Sequence, residues 1–143
     1  MRVMVTGATG FLGSYAAAAL SAAGHELRLL VRDRAKLERV MAPHGVAADD
    51  VVVGDMSDAG RVREALRGCD AVLHTAVTLY GGPEVLHANL AGVRHVIGGA
   101  AEGGLAGIAV AIIAGFAFLL VLLLVVFVLL PILGVALEIL LII

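Results

Sequence analysis

Over its first hundred positions the chain alternates short apolar blocks with longer stretches of helical periodicity. Val3-Met4-Val5 is a continuous apolar run and predicts a strand over residues 2–6. The alanine-rich stretch behind it predicts a helix over 11–23, with Gly24 as its C-cap. Glu26-Leu27-Arg28-Leu29-Leu30-Val31 reads as a second strand, and Asp33 can cap a short helix, Arg34 to Met41, that ends before Pro43. Val51-Val52-Val53 is a β-branched third strand bounded by Gly54. A third helix is expected from Asp58 to Arg67, with Val62, Leu66 and Ala65 turned toward a sheet. Ala71-Val72-Leu73-His74 forms a fourth strand, and Pro83 opens a fourth helix, Glu84 to Ala101. Val85, Leu86, Leu90, Val93 and Ile97 are placed on the inward side of that helix.

Strictly alternating strands and helices imply a parallel sheet with right-handed crossovers, an α/β, doubly wound arrangement. The pattern then breaks at Gly103-Gly104, so residues 1–104 are read as one domain and 105–143 as a separate hydrophobic tail. From Leu105 to Leu137 the tail has no charge and no Asn, Gln, Ser, Thr or His, and Phe116 to Leu130 is nearly pure Leu, Val and Phe. About twenty apolar residues span a bilayer as a helix, which makes residues 110–130 a candidate transmembrane helix. A second possibility stays open: residues 107–114 form a fifth strand and the tail folds back.

Composition sharpens this division. The 143 residues are 61% apolar and 15% charged, against roughly 45–50% and 25% in a usual soluble domain. Every charged residue except Glu138 lies at or before Glu102. With a net charge of −2 and no basic run, no nucleic-acid partner is expected. The single cysteine, Cys69, excludes an internal disulfide, and the five histidines lack paired ligand spacing, so no metal is expected. The N-terminus reads as a strand and a glycine turn rather than a signal peptide.

The chemistry begins at Thr6-Gly7-Ala8-Thr9-Gly10-Phe11-Leu12-Gly13, between the first strand and the first helix. Glycines at 7, 10 and 13 let the backbone approach a pyrophosphate, and the N–H groups of Phe11 and Leu12 face that anion at the positive end of the helix dipole. This is the signature of a Rossmann-like dinucleotide-binding βαβ unit. Arg32 ends the second strand, where an adenosine ribose would lie. An acidic residue there favours NAD, whereas an arginine pairs with a 2′-phosphate, so NADP(H) is favoured over NAD(H). Arg34 is a second candidate cation, and Asp33 keeps NAD(H) open if the register slips by one. Asp55, just past the third strand, is placed to accept a bond from the adenine amino group; Asp58 is a helix cap. Ala76 and Val77 lie at the carboxyl edge of the sheet and leave room for ribose and nicotinamide. His74 is read as a half-buried packing histidine.

Four motifs in order then carry a family resemblance: the glycine loop, Gly54-Asp55-Met56-Ser57-Asp58, Asp70-Ala71-Val72-Leu73-His74-Thr75-Ala76, and Asn89-Leu90-Ala91-Gly92-Val93. Residues 1 to about 101 resemble the N-terminal half of the extended short-chain dehydrogenase/reductases, the NAD-dependent epimerase/dehydratase group. The Leu30-Val31-Arg32-Asp33 variant is similar to that of members preferring NADPH. The resemblance implies cofactor binding by the glycine loop, Arg32, Asp55, Met56 and Ala76. It matches Asn89 to a helix-four asparagine that helps organise the active site through bound water. It also implies dimerisation through the face of helix 84–101.

The family's proton transfer needs a Ser after the fifth strand and a Tyr-x-x-x-Lys pair on the next helix. No Ser follows Ser57, no Tyr follows Tyr80 and no Lys follows Lys36. No catalytic residue is therefore assigned. The reading is a truncated nucleotide-binding half that binds NADP(H), performs no hydride chemistry alone, and sits in the cytoplasm, anchored to a membrane through 105–143. Three alternatives stand beside it. One is a truncated or artificial derivative of a family oxidoreductase without selected function. The others are a membrane-anchored interaction protein and an enzyme that works through His74 and Tyr80.

Overall fold

The computed structural model describes residues 1–78 and 81–105 and the backbone of 107–110, all within a compact unit, Met1–Val110. Its elements are β1 (Arg2–Thr6), α1 (Phe11–Ala22), β2 (Glu26–Val31), α2 (Arg34–Met41), β3 (Val51–Val53), α3 (Ala59–Leu66), β4 (Ala71–His74), α4 (Pro83–Glu102) and β5 (Gly107–Val110). A short 3-10 turn, Ala42–His44, extends α2 through Pro43 and was not anticipated. The five strands form one parallel sheet in the order β3-β2-β1-β4-β5. The chain runs outward from β1 to β3 and then crosses back to β4. That reversal opens a crevice at the carboxyl ends of β1 and β4, where ligands of such sheets bind.

The strands alternate between two cores. Val3, Val5, Leu29 and Val31 point to one face, where they pack with Ala17, Leu37 and Met41 from the side of α1 and α2. Met4, Leu30 and Val72 point to the other, against Val62, Ala65, Leu66, Val96 and Ala100 of α3 and α4. Burial on both faces explains why the strands read as apolar runs rather than alternating ones. Helix ends follow their local chemistry. Asp33 Oδ1 accepts the Lys36 N–H at 3.0 Å, and Asp58 Oδ1 accepts those of Gly60 and Arg61 at 2.8 and 3.2 Å. Ala23 is the C-cap of α1, and Gly24 takes the left-handed position after it, at φ +80°. The Gly24 and His25 N–H groups return to the carbonyls of Ser21 and Leu20, a Schellman closure.

Helix α4 corrects the sequence reading. Leu86, Leu90 and Ile97, placed inward by periodicity, are 60%, 46% and 40% exposed, and Gly92, Val96 and Ala100 are buried instead. A Cβ on Gly99 would fall 2.7 Å from Leu66 Cδ1. Gly99 lets α4 approach α3, Gly92 takes the Met56 side chain from the loop after β3, and Val96 and Ala100 fill the core between, so the row Leu86, Leu90 and Ile97 is left outward. Residues 107–110 settle another open point. They pair with β4, Gly107 opposite Ala71 and Val110 opposite His74, so this part of the apolar stretch is strand rather than helix. Among the described residues no helix is long and apolar enough to cross a membrane. The candidate span at 110–130 lies, past Val110, outside the described residues.

Candidate dinucleotide site

The crevice above the sheet is a cleft of about 280 Å³. Four strands contribute their carboxyl ends: Thr6 and Gly7 from β1, Arg32 after β2, Gly54 to Met56 after the edge strand β3, and Thr75 to Thr78 after β4, with Asn89 of α4 at the rim. Six of the expected binding residues therefore meet in one place, Gly7, Gly10, Arg32, Asp55, Met56 and Ala76, together with Asn89, the residue matched to the family's helix-four asparagine. Phe11, Leu12 and Gly13 do not line the cleft. The Phe11 side chain is 83% exposed. No side chain caps α1, whose first turn therefore presents its N–H groups without a capping partner.

The three glycines do different things. Gly7 has φ +79°, and a Cβ there would lie 2.6 Å from the Ala76 nitrogen. A Cβ on Gly13 would overlap the Gly7 carbonyl and come within 2.6 Å of Thr75 Oγ1. These two let the loop, the helix and the end of β4 close on one another. Gly10 is different. Its φ of −94° suits any residue, and a Cβ would meet only the Gly7 oxygen, at 3.3 Å. The protein itself barely requires glycine at position 10, which lines the open cleft.

The far end of the cleft is charged. Arg32 Nη1 and Asp55 Oδ2 stand 3.8 Å apart, both well exposed. The Ser57 N–H, 2.8 Å from Asp55 Oδ1, holds this carboxyl below its ordinary value, and the Ser57 hydroxyl and Arg32 act in the same direction against a desolvation that raises it. Asp33 is occupied as the cap of α2. Arg34 does not reach the cleft; its guanidinium pairs with Glu38 at 3.1 Å and donates to the Ala48 carbonyl at 3.3 Å. Lys36 does line the cleft and makes no ion pair among the described residues. Sequence reasoning passed over it. Its signal was its place on the first turn of a helix capped by Asp33, which sets it beside the end of β2.

The wall after β4 is held from α4. Asn89 Oδ1 accepts the Thr78 N–H at 3.1 Å and its Nδ2 donates to the Thr78 carbonyl at 2.8 Å, gripping one backbone unit at two points. Beneath the loop, His74 is fully buried rather than half-buried and does not line the cleft. Its Nδ1 lies 2.6 Å from Thr6 Oγ1, while Nε2 has no partner among the described residues. Burial pushes its pKa down. Tyr80, its suggested catalytic companion, lies outside the described residues. Among the described residues no three His, Cys, Asp or Glu side chains gather to hold a metal ion.

A glycine loop on a helix N-terminus, a Gly10 that lines the cleft and paired polar groups at the ends of β2 and β3 fit a nicotinamide dinucleotide. Comparison with known proteins agrees. A family described as NAD(P)H-binding matches residues 7–116, and the chain belongs to this family, within the short-chain dehydrogenase/reductases of the NAD-dependent epimerase/dehydratase kind. The ketoreductase sphI of Aspergillus fumigatus is 40% identical over 83 residues, 57% of this chain and 25% of that protein. Cinnamoyl-CoA reductase 1 of Oryza sativa is 33% identical over 105 residues, 71% of this chain and 31% of that one. The chain thus spans a third or less of these relatives' length. Among solved structures, UDP-glucose-4-epimerase of Stenotrophomonas maltophila with bound NAD superposes at a TM-score of 0.66 with 26% identity, over 77% of this chain and 36% of that one. The Bordetella bronchiseptica enzyme WbmG in complex with NAD gives 0.62 and 27%, over 77% and 36%.

Proposed function

We propose that this chain is the nucleotide-binding half of a reductase or epimerase and that it prefers NADP(H) to NAD(H). The observation that carries the preference is the pair Arg32 and Lys36 on one wall of the cleft, with Asp33 withdrawn into a helix cap. Two cations there match a 2′-phosphate. The Arg32–Asp55 pair is long and exposed, and such pairs contribute about 0–1 kcal/mol, so Arg32 gives it up readily for a charge-assisted phosphate contact. In this reading Gly10 and the first turn of α1 hold the pyrophosphate, Asp55 and Met56 border the adenine, and Ala76 lies beside the nicotinamide ribose. A bound nicotinamide dinucleotide supplies a hydride donor or acceptor. The residues of this chain bind and orient it, and they include no Ser with Tyr-x-x-x-Lys to move the accompanying proton.

Titration of the full chain with NADPH and NADH tests this. NADPH is expected to bind at least tenfold more tightly. Arg32→Ala and Lys36→Ala should each weaken NADPH about tenfold and leave NADH within about twofold, as loss of one charge-assisted contact predicts. Equal affinities for the two nucleotides, unmoved by either variant, would overturn the preference. The cytoplasmic location rests on the dinucleotide-binding character of the sequence, and a membrane anchor, now confined to residues past β5, rests on the uncharged run alone. A homodimer through helix 84–101 rests on the exposed row Leu86, Leu90 and Ile97.

A further inference from the structure

We propose that His95, which does not line the cleft, is a positioning residue for the adenine side of the nucleotide site, acting through Met56. This inference rests on the nucleotide reading above. β3 is only three residues long, so the loop behind it has little ladder to hold it. Gly54 donates to the Val31 carbonyl at 2.8 Å. Beyond it, the bonds Ser57 N–H to Asp55 Oδ1 and Asp58 N–H to the Asp55 carbonyl are internal to the loop. Among the described residues, one hydrogen bond ties residues 55–57 to another element: His95 Nδ1 to the Met56 carbonyl, 3.1 Å. A carbonyl only accepts, so His95 carries its proton on Nδ1.

Gly92, one turn earlier on the same helix, receives the Met56 side chain. A Cβ at Gly92 would fall 2.7 Å from both Met56 Cγ and Sδ. Met56 is thus held twice from α4, by its carbonyl and by its thioether, while it lines the cleft next to Asp55. With Asn89 gripping Thr78 three residues earlier, one helix row spaced 89, 92, 95 holds both loops that wall the cleft. Release of the Met56 carbonyl lets the loop shift, and Asp55 and Met56 leave the geometry a purine needs.

The experiment is a titration of the full chain with 2′,5′-ADP, the phosphorylated adenosine half alone, combined with hydrogen exchange. His95→Phe keeps a ring and removes the donor. It is expected to raise Kd about fivefold, the worth of one ordinary hydrogen bond, and to quicken exchange at residues 55–58 selectively. His95→Asn, whose amide nitrogen sits on Cγ as the ring Nδ1 does, offers an N–H to the same carbonyl and should return Kd to within about twofold of the wild type. A general structural role would make both variants lose alike, with exchange raised across α4, and would overturn the proposal. So would a folded H95F chain that binds as the wild type does. If H95F does not fold, Gly92→Ala displaces Met56 with His95 intact; weakened binding is expected and unchanged binding overturns. A wild-type chain that ignores 2′,5′-ADP fails the nucleotide reading itself, whereas wild-type binding with an indifferent H95F fails only the inference.

Discussion

His74 shows how a single side chain couples the sheet to pH. It sits opposite Thr6 in register, fully buried, with one ring nitrogen bonded and the other without a partner among the described residues. Desolvation disfavours the imidazolium, so the folded pKa lies below the ordinary 6.5. Between those two values the unfolded chain binds more protons than the folded one. Stability therefore falls as pH drops through 6.5 and keeps falling until the folded imidazole itself protonates, with a slope of at most about 1.4 kcal/mol per pH unit. Urea denaturation at pH 7.5 and 5.5 checks this. His74→Phe is expected to flatten the decline, whatever it does to absolute stability, and an unchanged slope would remove His74 as the cause. The sequence showed a histidine at a strand end; its complete burial depended on packing around β4 that no local pattern reports.

At the level of elements, the β1–α1 turn divides its glycines between folding and binding. Gly13→Ala drives a methyl into the Gly7 carbonyl, a backbone atom that cannot rotate away. Overpacking of this kind costs about 1–3 kcal/mol, so a fall in denaturation midpoint is expected before any ligand is added. Gly10→Ala meets only one contact at 3.3 Å and should stay within about 1 kcal/mol of the parent. Its effect is expected in nucleotide affinity, weakened at least tenfold where the methyl takes the space of the pyrophosphate. Circular dichroism melts and NADPH titration of the two variants separate these roles; equal effects on both readouts would contradict the division. The spacing of these glycines was plain in the sequence, but which of them the protein's own packing requires was not, because that depends on where Thr75 and Ala76 return. α4 makes the same point from the opposite direction. Hydrophobic periodicity assigned its large residues inward, yet the helix meets α3 through Gly99 and receives Met56 at Gly92, where a larger side chain would collide.

For the whole molecule, the question is how a nucleotide-binding sheet and an uncharged C-terminal run share one chain. β5 takes Gly107–Val110 into the sheet, so the run does not begin as a separate element at 105. The residues after Val110 still lack any charge until Glu138, and large apolar side chains left in water cost about 1.5–3 kcal/mol each. The membrane-anchor reading predicts that the chain stays in the membrane pellet after an alkaline wash. Release into the supernatant would show that cover comes from protein rather than lipid.

What the sequence by itself determined was everything written in local chemistry. Period and capping placed four strands and four helices, and motif order identified the dinucleotide unit, because turn, cap and strand signals act over a few residues. Only the tertiary structure decided which cations share the cleft. Arg34, next to Asp33, turns to Glu38, while Lys36, two residues further, reaches the site because the Asp33 cap fixes the first turn of α2 against the end of β2. It also decided that α4 holds the cleft walls, through Asn89 on Thr78 and His95 on Met56. Those contacts join residues 11 and 39 apart in sequence, and packing of the whole sheet has to bring them together.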